Sequence, residues 1–290
     1  MIYELNADRL HIKVCSKGAE LQSLKRKDGT ELLWQGDAEY WDGQSPLLFP
    51  FPGKSWEDKL RIDGEEYTMP KHGFACNMEF ELAEQTDNSI TLKLTDTPET
   101  LKMFPFRFEL EVTYPVVGSS LNIGWKVNNK SEGTMYFMIG AHPAFNLPGF
   151  NPNDKVHGYI YTENAPDMQS NVVLPDGYCH DEIETVELNE GQLPITNHTF
   201  DCDTILDQTG RFNEIILLSK EKMPLVRVNF NMPVLAIWAP CCGAAPFVCI
   251  EPWYGICDRF QDPRELKDRN HVISVLGGDV WSNTYTITAL

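Results

Sequence analysis

The sequence predicts an all-β fold, a large antiparallel β-sandwich with few short helices. Apolar and polar residues alternate in many short runs, turn-forming residues separate these runs, and sustained helical periodicity is nearly absent. Alternation with a period of two is typical of a strand that buries one face, and many such strands favour a sandwich. The pattern alone leaves a jelly roll open as the alternative arrangement.

The clearest alternation lies between residues 106 and 127. Apolar residues occupy the even positions from 106 to 114, and a turn at residues 117–120 (VGSS) leads to apolar residues at 121, 123, 125 and 127. This pattern predicts a hairpin with one buried face. Similar runs predict strands at residues 90–94, 215–218, 226–230 and 285–287. The best helix candidates are residues 98–104 and 263–269, which both begin with Pro.

Length and composition limit the class of protein and its partners. The 290 residues contain 42% hydrophobic and 11% aromatic residues, with no linker or internal repeat, so we expect a single domain over residues 1–290. A formal charge of −18 disfavours nucleic acid and anionic membranes as partners, since both bind basic surfaces. The N-terminus lacks a signal-peptide pattern and no apolar run approaches a membrane span, so we expect a cytoplasmic protein. Monomer and homodimer both stay open.

The cysteines give no indication of a metal site. In a cytoplasmic protein the eight cysteines are expected to be reduced thiols, mostly small core residues. Cys241 and Cys242 are adjacent and no C-x-x-C pair occurs, so the usual spacing of zinc ligands is absent. We therefore expect no metal, and no motif indicates an organic cofactor.

Glu251 is the first candidate catalytic residue. It ends an apolar run in residues 247–255 (FVCIEPWYG), and Pro252 is expected to stop strand pairing because it has no N–H to donate. Glu251 would then lie at a pocket rimmed by Trp253 and Tyr254, whose faces can stack on a sugar ring. Partly apolar surroundings disfavour the charged carboxylate and make it a better proton acceptor near neutral pH. The alternative is an ion-paired Glu at a strand end.

Two histidines in turn-like segments accompany this carboxylate. His142 precedes Pro143 in residues 140–147 (GAHPAFNL), which favours an extended backbone. His72 lies at a glycine-flanked bend in residues 70–75 (PKHGFA). Histidine is the side chain best suited to proton exchange near pH 7, although each of these two could have a structural role instead. One carboxylate and two histidines suit acid/base chemistry on a polyhydroxylated substrate.

Short distinctive segments extend along nearly the whole chain, at residues 18–24 (GAELQSL), 33–36 (LWQG), 48–54 (LFPFPGK), 72–75 (HGFA), 140–147, 200–205 (FDCDTI), 236–240 (AIWAP) and 245–255. In these segments and in their order the chain resembles the aldose 1-epimerase (mutarotase) family of the galactose mutarotase superfamily, and within it the LacX-like group. The resemblance implies a many-stranded twisted sandwich with a sugar site on a concave sheet face. It also implies interconversion of the α and β anomers of an aldohexose, without a cofactor.

The resemblance also implies a role for each candidate residue. Glu251 is the base and His142 the acid, which together open and reclose the sugar ring. His72 is implied to donate a hydrogen bond that orients the sugar. Asp203 is implied to accept hydrogen bonds from sugar hydroxyls, with a turn-forming Asp as the alternative. Trp238 is expected to line the pocket as a stacking platform, with a core Trp as the alternative.

Two positions depart from the family pattern. Members typically carry Arg where Lys54 follows the Phe-Pro-x-x-Gly run, and often carry Arg where Cys76 follows His-Gly-Phe-Ala. We count Lys54 as a substrate-binding residue, but Lys lacks the planar fork that grips two neighbouring hydroxyls. The identity of the sugar therefore stays open.

Three other functions fit parts of the pattern. A hexose-6-phosphate 1-epimerase shares the fold and chemistry, but the missing Arg at positions 54 and 76 and the negative charge disfavour a phosphate site. A glycosidase could use Glu251 and Asp203 as its carboxylate pair, which would leave His142 without a role. A non-catalytic sugar-binding protein would not need both Glu251 and His142. We therefore expect a neutral aldose as the substrate.

Overall fold

The computed structural model describes residues 1–163, 166–240 and 244–290. The adjacent Cys241 and Cys242, considered above for zinc spacing, lie outside these ranges. Within them, every helix is too short or too polar to cross a bilayer.

Strands account for most of the regular structure. The first half of the chain contributes β1 (Ile2–Ala7), β2 (Leu10–Cys15), β3 (Leu21–Arg26), β4 (Leu47–Leu48), β5 (Lys59–Ile62), β6 (Glu65–Thr68), β7 (Glu81–Gln85), β8 (Ile90–Thr95), β9 (Phe108–Thr113), β10 (Val116–Val117), β11 (Ser120–Asn129), β12 (Met135–Phe137), β13 (Ile139–Ala141) and β14 (Ala144–Asn146). The second half contributes β15 (Gly158–Tyr161), β16 (Met168–Val173), β17 (Cys179–Val186), β18 (Gln192–Ile195), β19 (Ile205–Asp207), β20 (Glu214–Ser219), β21 (Pro224–Asn229), β22 (Val234–Trp238), β23 (Phe247–Tyr254), β24 (Ile273–Val275) and β25 (Val280–Ala289). The prediction of an all-β fold is confirmed.

Two large antiparallel sheets form the body of the molecule. One has ten strands in the order β18-β15-β20-β21-β25-β11-β9-β8-β7, with β10 paired to β11. The other has eight strands in the order β17-β16-β19-β22-β23-β13-β4, with β14 paired to β23. Smaller sheets join β1-β2-β3, β5-β6 and β12-β24. Buried side chains from both large sheets belong to one hydrophobic cluster, as expected for a β-sandwich.

The predicted hairpin lies in the ten-stranded sheet. In β11, Trp125 stands opposite Val112 and Val127 opposite Leu110, and all four side chains are buried. The turn between β10 and β11 places Gly118 at a φ of 62°, a conformation that glycine adopts without a Cβ penalty. The alternation therefore identified both the strands and the face that packs into the core.

The two helix candidates are shorter than predicted. The first is the single turn α1 (Pro98–Leu101), which Thr97 and Thr100 cap reciprocally. The second is only a 3₁₀ turn at Leu266–Asp268, and two further 3₁₀ turns lie at Trp56–Asp58 and Ala75–Asn77. The prediction for residues 263–269 is wrong in type because Glu265 adopts an extended conformation, with φ −60° and ψ 145°.

Strand β23 continues past Pro252, so the prediction that pairing would stop there is wrong. Leu235 of β22 stands opposite Pro252, and the strand extends to Tyr254. Backbone nitrogens alternate between the two edges of a strand, and the Ile250 N–H donates to the carbonyl of Pro143 on the far edge. The nitrogen of Pro252 faces that same edge, in the gap between β13 and β14, where no ladder bond is lost.

Strands β13 and β14 are two parts of one line of chain alongside β23. Gly140 pairs with Trp253, and Ala144 pairs with Cys249, so the same register holds on both sides of the gap. Counting inward from either pair places position 142 opposite position 251. Because residues directly opposite each other in antiparallel strands point to the same face, this register brings their side chains together.

Candidate active site

A cavity of about 340 Å³ lies over the eight-stranded sheet. Strands β22 and β23 form its floor, and the turn at residues 70–73 and the loop around residue 41 form parts of its wall. The side chains that line it and can bind or transfer protons, or stack on a ring, are Trp41, Lys71, His72, His142, Asp203, Trp238, Glu251 and Trp253. Five of the six residues predicted from the sequence to form a site lie in this one cavity.

His142 and Glu251 form a buried pair at the base of the cavity. The Nε2 atom of His142 lies 3.4 Å from Oε2 of Glu251, as the register of β13, β14 and β23 requires. Glu251 exposes 1% of its surface and His142 exposes 7%. The imidazole stacks on the indole of Trp41 with ring centroids 4.9 Å apart and an interplanar angle of 27°. Both groups are therefore held in place by packing rather than by solvent contacts.

Burial controls the charge of this pair. It raises the pKa of Glu251 well above the usual carboxyl value, although the positive charge of Lys71 acts in the opposite direction. Burial also lowers the pKa of His142 to about 3. Since both shifts favour neutral groups, the pair holds one proton over a wide pH range, and that proton resides on Glu251 at rest.

His72 presents a hydrogen-bond donor to the cavity. Its Nδ1 accepts a hydrogen bond of 3.0 Å from the Gly53 N–H, which assigns the ring proton of the neutral imidazole to Nε2. Burial, followed by the proximity of His142, lowers the pKa of His72 well below its usual value. The two imidazoles lie at 88° with centroids 5.5 Å apart. The backbone of His72 is left-handed, with φ 67°.

Asp203 and Trp238 are joined by a hydrogen bond. The indole Nε1–H of Trp238 donates to Oδ1 of Asp203 over 2.7 Å. Burial raises the pKa of Asp203, while the bond from Trp238 lowers it. The Trp238 ring meets the His142 ring at 75°, with centroids 5.6 Å apart. Trp238 therefore contacts both an acceptor of the cavity wall and the buried pair.

Lys54 and Tyr254 lie outside the cavity lining. The Lys54 Nζ atom lies 4.7 Å from the centroid of the Tyr178 ring and 3.4 Å from the carbonyl oxygen of Asp176. Tyr254 points to the opposite face of β23, where its hydroxyl accepts a hydrogen bond of 2.6 Å from Asn283. The expectation that Tyr254 would rim the pocket is wrong, because neighbouring residues of a strand face opposite sides.

Two of the eight polar and aromatic lining residues named above were not among the sequence candidates. Lys71 precedes His72 in the same turn, and its charge affects the pKa of Glu251, so its position in the motif was an available signal. Trp41 comes from a loop without a motif. Its position depends on tertiary contacts, including the hydrogen bond from Trp34 Nε1 to its carbonyl oxygen over 2.8 Å.

Gly140 is expected to resist replacement because Trp253 packs directly on it. An added Cβ would lie 2.3 Å from Cδ1 of Trp253, whose Nε1–H donates to the carbonyl of Ala141 over 3.0 Å. We expect Gly140→Ala to lower the free energy of unfolding by about 1–3 kcal/mol, measured by urea denaturation. At Gly133 a Cβ would meet no described heavy atom within 4 Å, so Gly133→Ala is the matched control. Equal stability of the two variants would contradict this packing.

The comparisons with known proteins agree with one another. The sequence matches the family model described as "Aldose 1-epimerase" over residues 1–266. The protein LacX, chromosomal, of Lactococcus lactis subsp. lactis is 32% identical over 306 aligned residues that cover 100% of both chains. A galactose mutarotase related enzyme from Lactobacillus acidophilus is 29% identical with a TM-score of 0.92, covering 100% of this chain and 97% of that one. A galactose mutarotase-like protein from Lactobacillus casei ATCC 334 is 27% identical with a TM-score of 0.93, covering 100% of both.

Proposed function

Because this chain belongs to the aldose 1-epimerase family, we propose that it interconverts the α and β anomers of an aldohexose, with Glu251 as base and His142 as acid. The observation that carries the proposal is the 3.4 Å separation of Glu251 Oε2 and His142 Nε2 inside a cavity lined by aromatic and polar side chains. Both reacting oxygens of the substrate, O1 and O5, are bonded to the same carbon atom. A base for one and an acid for the other must therefore be close neighbours.

The proposed reaction moves two protons. Glu251 as carboxylate accepts the proton of the O1 hydroxyl, and His142 as imidazolium gives a proton to O5 while the C1–O5 bond breaks. C1 becomes an aldehyde carbon, Glu251 becomes a carboxylic acid and His142 becomes neutral. After rotation about the C1–C2 bond, the O5 hydroxyl attacks the opposite face of C1 and both protons return.

Burial of the pair supports this sequence of steps. The protonation state that accompanies the open-chain sugar, with Glu251 and His142 both neutral, is the state that burial favours. The charged state that begins ring opening has the same number of protons, so the pair passes between the two without exchange with solvent. Each closed anomer therefore requires only the transfer of this proton from Glu251 to His142 before ring opening begins.

The remaining lining residues suit the binding of a sugar ring. We assign the Nε2–H of His72 as a donor to a sugar oxygen and the carboxyl group of Asp203 as an acceptor from sugar hydroxyls. Trp238 and Trp41 offer aromatic surface to the apolar face of the ring. For Lys54 we propose a supporting role, because its stem lies beside Gly177, a residue of the cavity lining.

The presence of Lys71 in the cavity lining favours a second candidate substrate, an aldose that carries an anionic group such as a 6-phosphate. Lys71 belongs to the cavity lining, although the sequence shows Lys54 and Cys76 where the family often has Arg. A lysine binds phosphate as a point charge, without the bidentate geometry of Arg. Replacing Lys71 by Met should weaken turnover of a phosphorylated sugar far more than that of a neutral one if the second candidate is correct.

Polarimetry of freshly dissolved α-D-glucose and α-D-galactose tests the proposal, with α-D-glucose 6-phosphate as the anionic substrate. We expect the protein to accelerate equilibration of at least one neutral aldose over a buffer control. Acceleration with the phosphate ester alone would favour the second candidate. Binding of a sugar without acceleration would identify a non-catalytic binding protein and contradict both.

The pH dependence of kcat/KM is expected to reflect the neutral pair. The burial that lowers the pKa of His142 to about 3 and raises that of Glu251 above 4.5 leaves one proton on the pair between these two values. The acid limb of the rate should therefore lie near pH 3, where His142 also becomes protonated, rather than near pH 4.5, and on the alkaline side the rate should fall as Glu251 loses its proton. An acid limb near 4.5 would indicate an unperturbed carboxyl group.

A further inference from the structure

Cys249 is a buried thiol beside the proposed catalytic pair for which the reaction has no use. It stands two residues before Glu251 on β23, so the two side chains share a face of the strand. His142 lies opposite Glu251 on the neighbouring chain segment. One potential ligand atom from each of these three residues lies within 4.8 Å of the others, and all three residues are buried.

The spacing suits a metal ion. Ligand distances of about 2.0–2.3 Å around tetrahedral Zn²⁺ separate neighbouring ligand atoms by about 3.3–3.7 Å, and His142 Nε2 lies 3.4 Å from Glu251 Oε2. Among the described residues, this Oε2 atom has no hydrogen-bond partner, although only 1% of the Glu251 side chain is exposed to solvent. Buried polar atoms normally have a hydrogen-bond partner, so a carboxylate oxygen that has only the 3.4 Å contact with His142, in a cluster that also contains a thiol, indicates a ligand.

We propose that Cys249, His142 and Glu251 form a binding site for Zn²⁺, and that the bound ion inhibits the epimerase. A thiolate, an imidazole and a carboxylate are a zinc-type ligand set, whereas Mg²⁺ and Ca²⁺ prefer oxygen ligands alone. The sequence could not indicate this site, because its ligands come from separate segments rather than from a C-x-x-C motif.

The charge balance supports binding in this buried position. An ion with two positive charges meets a thiolate and a carboxylate once the thiol proton and the single proton of the His142–Glu251 pair are released to solvent. The occupied site is then neutral overall, which limits the cost of burying the ion. The inhibition rests on the proposed function, because the ion occupies the lone pairs that would accept and deliver the sugar's protons. The binding itself does not depend on it.

Cobalt substitution tests the binding directly. Co²⁺ added to the full chain should give one near-ultraviolet thiolate-to-cobalt band per chain, which Zn²⁺ abolishes. Cys249→Ala should remove the band and weaken Zn²⁺ binding by more than about tenfold. The matched control is Cys257→Ala, since Cys257 is also a buried cysteine and it lines the cavity beside the cluster. The band should survive that change. No band in the wild type, an unchanged band in Cys249→Ala, or its loss in Cys257→Ala would overturn the proposal.

Activity measurements separate this proposal from the proposed function. Zn²⁺ should slow anomer exchange by the wild type, a chelator should restore it, and Cys249→Ala should keep its activity with at least about tenfold less sensitivity to Zn²⁺. If Cys249→Ala is poorly folded by circular dichroism, Cys249→Ser provides the same test with a side chain of similar size. A cobalt band without mutarotase activity would contradict the proposed function but would support the metal site. Activity that Zn²⁺ does not affect would overturn the inhibition.

Discussion

Replacing Glu251 by Gln is expected to lower kcat/KM for anomer exchange by about 10²–10⁴-fold, the range in which a general base contributes. Gln keeps the size of the side chain and its place beside His142, but its amide cannot accept the O1 proton. Polarimetry of the sugar that the wild type uses gives the measurement. A variant that keeps more than half of the wild-type rate would exclude Glu251 as the base.

The free energy of unfolding of Glu251→Gln is expected to stay equal or to rise, although its activity falls. The folded pKa of Glu251 lies above its unfolded value because of burial. Below the unfolded pKa both states are protonated. Above it, the unfolded chain ionises first, so this group lowers the stability of the fold as the pH rises toward the folded pKa. Gln removes that effect, and urea unfolding at neutral pH should show equal or greater stability. The exposed Glu182→Gln serves as a control that should change neither activity nor stability.

His142 is expected to act with Glu251 as one unit. His142→Gln should lower kcat/KM by a similar factor, and the double variant should lose little more than either single variant, because removal of one member already disables the transfer. Losses that multiply in the double variant would indicate two independent contributions. This expectation rests on the 3.4 Å distance between His142 Nε2 and Glu251 Oε2, which places the two groups in direct contact.

Local pattern was sufficient for the all-β class and for part of the site, but not for the choice between this sandwich and a jelly roll. The alternation at residues 108–127 identified strands, their buried faces and their hairpin because each depends on neighbours in sequence. The segments around His72, His142, Asp203 and Glu251 were found for the same reason. The prediction of one domain over residues 1–290 stays a prediction.

The remaining features depend on contacts between distant segments. Pro252 continues its strand because its nitrogen faces the gap at His142, which the sequence of β23 cannot reveal. Trp41 reaches the cavity from a loop that only the tertiary packing on His142 positions. The zinc-type cluster likewise requires the register that places Cys249 and Glu251 against His142.

The segment that follows β23 is anchored by a buried ion pair. Arg269 and Asp258 expose 3% and 5% of their side chains, and Arg269 Nη2 donates to Asp258 Oδ2 over 2.8 Å. The same carboxylate oxygen accepts the Trp56 N–H over 2.7 Å, and the guanidinium lies 4.6 Å from the centroid of the Phe51 ring. The backbone carbonyl of Asp258 accepts the N–H of Cys179 over 2.9 Å. This pair therefore joins several segments next to the cavity.

Replacing Arg269 by Met is expected to lower the free energy of unfolding by about 3–5 kcal/mol, because it leaves the Asp258 carboxylate buried without its counter-ion. The matched control is Arg259→Met, since Arg259 pairs with Asp181 over 2.6 Å at the surface, with 34% and 83% of the side chains exposed. That change should cost less than about 1 kcal/mol. Adding Asp258→Asn to Arg269→Met should recover part of the loss, because the unpaired charge is gone although the Trp56 N–H keeps an acceptor. Urea denaturation of the wild type, the two single variants and the double variant measures these changes in the free energy of unfolding. If Arg269→Met costs no more than Arg259→Met, the buried pair does not hold this part of the chain, and the cavity wall must be stabilised by its apolar contacts alone.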